Sequence, residues 1–260
     1  MSDFAKESGH WYDKDGNPRY TITGKNGKER ATTVRDAREH GLMPSVTTIC
    51  SVIAKPGLEN WKIDQAVMAA LTGTRRDGES DSDYIARIKR EAQEQAWKAA
   101  EFGTTIHGQI ERHYRGEAVD PAYRLFVDGV VEEVNRHFPD YGWQAERSFS
   151  WNGYGGKVDL HGILFTPEGK KCVVIDFKGK DGDLAEVSAY DEHRMQLAAY
   201  ASGLFHDAPW ENVTGANCFF SRTHPGVAKM VVHSPEELTA GLDQFLCAKA
   251  MWIAMKGYRP

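Results

Sequence analysis

Apolar and polar residues in the second half of the chain follow patterns typical of strands and helices. Five segments predict strands, at residues 144–151, 157–165, 171–178, 216–222 and 227–233. Helical spacing over about 121–138 and 187–204 lies between them. A long closing helix begins after the cap residue Ser234 and ends near Gly257. This mixture predicts an α/β fold, with a central mixed sheet of about five strands flanked by helices.

The first half of the chain predicts a small β element followed by helices. Strand-like residues near Trp11 and Tyr20, with turn signals at Asp15–Gly16 and Asn26–Gly27, predict a β-hairpin. Helical patterns follow over residues 45–71 and 83–101, and a third helix opens at Phe102. We therefore divide the chain into an N-terminal hairpin and helical lobe (1–101) that shapes access and a core (102–260), together one compact unit.

Composition narrows the class of protein. The chain has 260 residues, of which 41% are hydrophobic and 27% charged, enough apolar material for a large folded domain. No stretch reaches the roughly 20 apolar residues needed to cross a bilayer, and no apolar signal core follows Met1. We expect a cytoplasmic protein with no membrane partner. A net charge of -5 argues against a coat of positive potential but allows a local basic groove.

Candidate chemistry is concentrated on two of the predicted strands. Asp176 and Lys178 interrupt an apolar run two residues apart, so both side chains project from one face of the strand. A turn centred near Glu168–Gly169 would place Asp159 opposite Lys178, with Asp176 diagonally nearby. Two carboxylates and an ammonium suit one or two Mg²⁺ or Mn²⁺ ions. The alternative is a cross-strand ion pair without catalytic purpose.

Polar residues on predicted helices and on the first strand extend this set. His107 and Glu111 share a helix face at i and i+4, where Glu111 either supports the site or is an ordinary solvated glutamate. Gln196 and Tyr200 share another face, suited to phosphate bonding or base stacking, with core-edge packing as the alternative. Glu146 is either a further site acid or an exposed strand residue.

Four segments together resemble the RecB-like branch of the PD-(D/E)XK nuclease superfamily. They are the Gly-Thr-x-x-His helix at Gly103–His107, the Gly-x-x-Asp strand at Gly156–Asp159, the Asp-x-Lys strand at Asp176–Lys178 and the Gln-x-x-x-Tyr helix at Gln196–Tyr200. Four matches in this order are far more specific than any single one. Asp159 follows Val rather than the Pro of the superfamily name, which the branch permits.

The resemblance implies a role for each matching residue. His107, Asp159, Asp176 and the carbonyl of Phe177 would hold the metal, and Lys178 would serve the nucleophile. Gln196 and Tyr200 would approach DNA. The four-cysteine cage of some relatives is absent, since Cys50, Cys172, Cys218 and Cys247 are widely spaced, so no iron-sulfur cluster is expected.

The resemblance also implies an activity. We expect an end-dependent DNA exonuclease acting on a single strand or a duplex end in recombination, repair or phage DNA processing, encoded by a bacterium or phage. A structure-selective endonuclease on flaps or branches and a non-cleaving DNA-binding subunit are the alternatives. A homo-oligomer or a recombination partner protein would be compatible with the exonuclease and with the endonuclease.

Overall fold

Short strands and helices form the N-terminal part of the chain in the computed structural model, which describes residues 9–24 and 26–260. The elements are β1 (Trp11–Tyr12), β2 (Thr21–Thr23), β3 (Glu29–Ala31), α1 (Val34–His40), β4 (Met43–Pro44) and α2 (Val46–Cys50). The β2 and β3 strands form the hairpin at Asn26–Gly27. Trp11 and Tyr12 do not belong to it, because β1 pairs antiparallel with β4.

Two longer helices, α3 (Pro56–Thr72) and α4 (Asp81–Tyr114), follow. The predicted break before Phe102 does not occur, because Gly103 is accommodated inside α4, a single helix of 34 residues. At 1.5 Å per residue α4 is about 50 Å long. Its first half packs on α3 around a small core of Ala69, Ile88 and Ala92, and its second half reaches the sheet. The division at residue 101 therefore falls within one continuous helix.

The predicted α/β fold with a mixed sheet is confirmed. After α5 (Arg124–His137), the five strands are β5 (Gly142–Trp151), β6 (Tyr154–Thr166), β7 (Gly169–Lys180), β8 (Val213–Ser221) and β9 (Ala228–His233). They lie side by side in chain order. The β7 and β8 strands are parallel, joined through α6 (Asp191–Leu204), and the other neighbours are antiparallel.

Helices cover both faces of this sheet. On one face α2, α6 and the closing helix α7 (Pro235–Lys256) bury a core that includes Leu197, Phe245 and Trp252. On the other face α5 and the second half of α4 bury Ile110, Val130 and Ile175, among others. The α7 caps are those predicted: Ser234 and Glu237 form a capping box, and Gly257 ends the helix at a φ of 57°. Among the described residues, no helix has the length and apolar character of a membrane span.

The register between β6 and β7 differs from the predicted one by two residues. Thr166 pairs with Gly169 and Leu160 with Ile175, so the turn consists of Pro167 and Glu168. Gly169, the first residue of β7, has a φ of 127°, which a residue with a side chain rarely adopts. The end of the turn therefore favours a glycine. Continuing the ladder one step past Leu160 brings Asp159 beside Asp176 rather than opposite Lys178.

Candidate active site

Asp176 lies near the centre of the sheet with both carboxylate oxygens engaged. Its side chain is 3% exposed. Gln196 Nε2 donates to Oδ1 at 2.9 Å, Asn217 Nδ2 donates to Oδ2 at 3.1 Å, and Lys178 Nζ lies 2.8 Å from Oδ2. A buried charge is tolerated only when it is paired and hydrogen-bonded. These three donors hold the Asp176 carboxylate in one orientation.

Asp159 is the second acid of the site and is bonded differently. Its Oδ2 accepts a hydrogen bond from the backbone N–H of Phe177 at 2.9 Å and lies 3.7 Å from His107 Nδ1. Burial raises the pKa of Asp159 to about 8, and the negative charge of Asp176 adds to this, while Lys178 and the Phe177 N–H oppose it. Ionising both carboxylates would therefore place more negative charge here than Lys178 alone balances.

Lys178 connects the acids to α6. Its Nζ donates to Gln196 Oε1 at 3.2 Å in addition to its contact with Asp176, and its side chain is 28% exposed. Burial alone would lower the pKa of Lys178, but the charges of Asp176 and Asp159 raise it above its ordinary value. Lys178 is therefore a cation at neutral pH. Its ion pair with Asp176 runs along β7 rather than across strands.

The backbone at Asp159 is irregular, and Glu146 lies opposite the irregularity. Ala145 pairs with Leu160 and Arg147 with Val158, while Glu146 between them has a φ of 56°. Val158 packs in the core under α6, but Leu160 packs in the core under α5, so the alternation of faces reverses across Asp159. Asp159 therefore lies at the point where β6 changes from packing in one core to packing in the other.

Glu146 and Glu111, whose roles the sequence left open, lie near the site, and each forms an ion pair with a basic residue. Glu146 forms an ion pair with Lys157, and its negative charge contributes to the raised pKa of Asp159. Glu111 Oε1 lies 2.5 Å from Arg115 Nη1, and the charge of Glu111 also acts on Lys157. Glu146 is thus electrostatically part of the site, whereas Glu111 belongs to its outer edge.

His107 is brought to the two acids by the second half of α4. Its ring contacts the rings of Phe177 and Phe220 edge to face, with centroids 6.0 and 5.5 Å away. Burial lowers the pKa of His107, against the charge of Asp176 and a hydrogen bond with the Phe177 backbone. The neutral imidazole, which is the form able to bind a metal, is therefore favoured.

Gln196 and Tyr200 lie on the same face of α6, as their spacing predicts. Gln196 Nε2 also donates to Tyr200 Oη at 3.0 Å. The Tyr200 ring is 5% exposed and packs on Phe149 and Gly156, where a Cβ would come within 2.7 Å of the ring. Only the Tyr200 hydroxyl reaches the polar network, so in this arrangement its ring has no free face for stacking on a base.

Two residues of the network were not found from the sequence. Asn217 on β8 is fully buried and pairs with Asp176 in the parallel ladder, and its Nδ2 donates to Asp176 Oδ2. Its Oδ1 lies 2.9 Å from His233 Nε2 on β9. In the sequence, Asn217 stands out only as a single amide within the apolar segment 215–220. Its partner Asp176 depends on pairing between strands that are far apart in the chain.

The donor set fits a hard divalent cation. Among residues 9–24 and 26–260, no group of three or more His, Cys, Asp or Glu side chains is assembled as a metal site. Mg²⁺, however, is commonly bound through one or two carboxylates and keeps waters and substrate phosphate as its other ligands. Asp159 and Asp176 match that requirement, since a cation would offset both the burial and the repulsion from Asp176 that raise the pKa of Asp159.

Comparison with known proteins adds little to this geometry. No family model matches the chain, and no curated protein matches it. A solved structure described as the crystal structure of SSO0001 aligns with 73% of this chain and 86% of its own length, at 14% sequence identity and a TM-score of 0.28. A likeness of that degree has no bearing on function.

Proposed function

We propose that this protein is a Mg²⁺- or Mn²⁺-dependent deoxyribonuclease that hydrolyses phosphodiester bonds. The observation that supports it best is that Asp159 and Asp176 lie together on adjacent strands, Asp176 buried and Asp159 half-buried, with Lys178 2.8 Å from Asp176 and its charge acting on both acids. A purely structural ion pair needs one acid and one base. The second carboxylate, whose pKa burial raises to about 8, is unfavourable for folding and is explained by a cation and a phosphate binding there.

Asp159, Asp176 and the carbonyl of Phe177 would hold the metal, with His107 at its edge. When bound, the divalent ion supplies Lewis-acid polarisation of the phosphate and stabilises the leaving oxygen. Asn217 and Gln196 keep the Asp176 carboxylate in a fixed orientation, which is the preorganisation that electrostatic catalysis requires. Lys178, protonated at neutral pH, orients the attacking water by donating a hydrogen bond and offsets charge developing at phosphorus.

DNA ends are the substrate that we propose for this site. The support is the resemblance of the four ordered motifs to the RecB-like nucleases. We therefore expect hydrolysis to begin at an end of linear DNA.

The test compares end-labelled single strands, blunt duplexes and circular single strands in Mg²⁺, Ca²⁺ and EDTA. We expect cleavage of linear DNA in Mg²⁺, none in EDTA and little in Ca²⁺, whose looser coordination supports binding better than in-line attack. Asp159→Asn is the inactive control. Cleavage that survives EDTA would remove the proposal. Efficient cutting of circles would replace the exonuclease with an endonuclease while leaving the metal site intact.

A further inference from the structure

A cleft between α3 and α4, away from the site described above, contains two tryptophans. Trp97 is 80% exposed, and Trp61, which is half-buried, lines the same cleft. The cavity has a volume of about 800 Å³. Gln65 and Gln93 add amide groups to its walls. A tryptophan left this exposed by its own fold offers a large flat ring to a ligand.

The same cleft is basic, although the chain as a whole has a charge of -5. Lys62, Lys89 and Arg90 line it, against a single lining acid, Glu94. Lys62 also contacts Glu59 on the exposed surface of α3, at 2.8 Å. Cations interleaved with exposed aromatic rings are the arrangement by which proteins track a phosphate backbone while bases stack on the rings.

This cleft adjoins a second cavity that runs toward the candidate active site. Trp61, Gln65 and Ala96 line both the cleft and a second cavity of about 950 Å³. That second cavity extends over Lys180 of β7 and past His193 and Met195 of α6. It therefore ends next to Lys178 and Gln196 of the network. A polymer that followed both cavities would reach Gly179 and Met195, the sequence neighbours of Lys178 and Gln196.

The separation along α4 indicates how many nucleotides would span this path. Trp97 precedes His107 by ten residues, which corresponds to about 15 Å along a helix. At about 3.4 Å per nucleotide in a stacked strand, this is roughly four nucleotides. Stacking requires unpaired bases, so the geometry favours a single strand over a duplex.

We propose that the Trp61–Trp97 cleft is a binding site for single-stranded DNA, about four nucleotides from the scissile phosphate. Bases stack on Trp97, and Lys62, Lys89 and Arg90 contact the phosphates. This inference rests on the proposed nuclease function for its choice of polymer, and it specifies the substrate as a single strand or an unpaired tail.

The experiment measures binding of labelled thymidine oligonucleotides of 4 and about 20 nucleotides in Ca²⁺ for wild type, Trp97→Ala and Trp97→Phe. Loss of one base–aromatic stack weakens affinity by about 10-fold. We expect that loss for Trp97→Ala with the long oligonucleotide only, and near-normal affinity for Trp97→Phe, which keeps a ring. Trp151→Ala is the matched control, because Trp151 is 39% exposed and lines neither cavity.

The outcomes separate this inference from the nuclease proposal. If the wild-type protein never cleaves DNA but Trp97→Ala still shows the length-dependent loss, the cleft is supported and the nuclease function fails. If Trp97→Ala binds both oligonucleotides as wild type does, the cleft is not a DNA site, whatever the cleavage result. Light scattering completes the test: a change of oligomeric state in Trp97→Ala with unchanged DNA affinity would assign the face to a second copy and overturn the inference.

Discussion

The centre of the sheet and the α3–α4 helical pair treat polar and apolar side chains in opposite ways. Around Asp176 the sheet buries charges and amides and gives them partners within 3.2 Å. The helical pair leaves large apolar side chains in solvent, including Leu71 at 75% and Trp97 at 80% exposure, over a core of three buried residues. The sheet therefore has the structure of a preorganised site, and the helical pair that of a surface for contact.

The two regions differ in whether the residues proposed to function also take part in holding the fold together. Exposed apolar rings contribute little to folding and remain available for binding. Buried polar groups cost free energy unless each finds its partner, so the network around Asp176 ties function to the intact fold. Substitutions in the two regions should therefore differ in kind.

The largest effect on stability is expected in the sheet core. Trp252 is 1% exposed and packs against Trp11 and Tyr258. Trp252→Ala should lower the free energy of unfolding by about 3–5 kcal/mol. Trp97→Ala should change it by less than about 0.5 kcal/mol, as for other surface positions. Urea denaturation of both variants measures the contrast, and similar losses for the two would contradict it.

A smaller effect, on turnover, is expected at Lys178. Its role in the proposal is to act on the nucleophile and the developing charge, so Lys178→Ala should slow cleavage by about 10²-fold, or about 2.7 kcal/mol of barrier. Affinity for DNA in Ca²⁺ should stay near that of wild type. Lys170→Ala, a change on the same strand at a lysine paired with Asp207, is the control. Lost affinity with an unchanged single-turnover rate would make Lys178 a phosphate anchor.

Asn217 provides a test of the buried network itself. Asn217→Ala removes the donor to Asp176 Oδ2 and the partner of His233. Leaving buried groups unsatisfied should destabilise the fold by about 1–3 kcal/mol and slow cleavage, because Asp176 loses its orientation. Asn135→Ala, on the exposed face of α5, should do neither. Normal stability and rate in the Asn217→Ala protein would show that Asp176 is held by its other donors alone.

Features of the fold that depend on residues close together in the sequence could be predicted, and features that depend on contacts between distant residues could not. Periodicity and capping residues act locally, so the strands and the caps of α7 were predictable. The continuity of α4 was not, because Gly103, which the prediction placed at the opening of a new helix, is buried inside a single one. The β6–β7 register followed from which residues form the turn, and the prediction was two residues off.

The candidate site divides in the same way. Asp159, Asp176, Lys178, His107 and Gln196 were chosen from four short motifs, and the structure brings them together. Asn217 was missed because its role depends on parallel pairing between β7 and β8, strands separated by a helix. For Tyr200 the sequence left base stacking and core-edge packing open, because the burial of its ring depends on Gly156, on a distant strand, lying against it.

The smallest effect is a pH dependence of stability at His161. Burial lowers the pKa of His161 to about 4, with the charge of Arg147 adding to this. The unfolded chain takes up the proton first, so His161 should reduce stability as pH falls from 6.5 towards about 4. Asp159, with a raised pKa, acts in the opposite direction over its own range. The measurement is therefore the difference in unfolding free energy between wild type and His161→Gln across that pH range; a difference that does not change with pH would contradict the assignment.

The most direct test of the central claim is the single-turnover cleavage rate of Asp176→Asn in Mg²⁺, measured on linear single-stranded DNA beside circular dichroism of the same protein. Asp207→Asn, an exposed acid paired with Lys170, is the matched control and should behave as wild type. The account predicts a folded Asp176→Asn protein whose cleavage is slower by about 10³-fold or more. A folded Asp176→Asn protein that cleaves at the wild-type rate would contradict it.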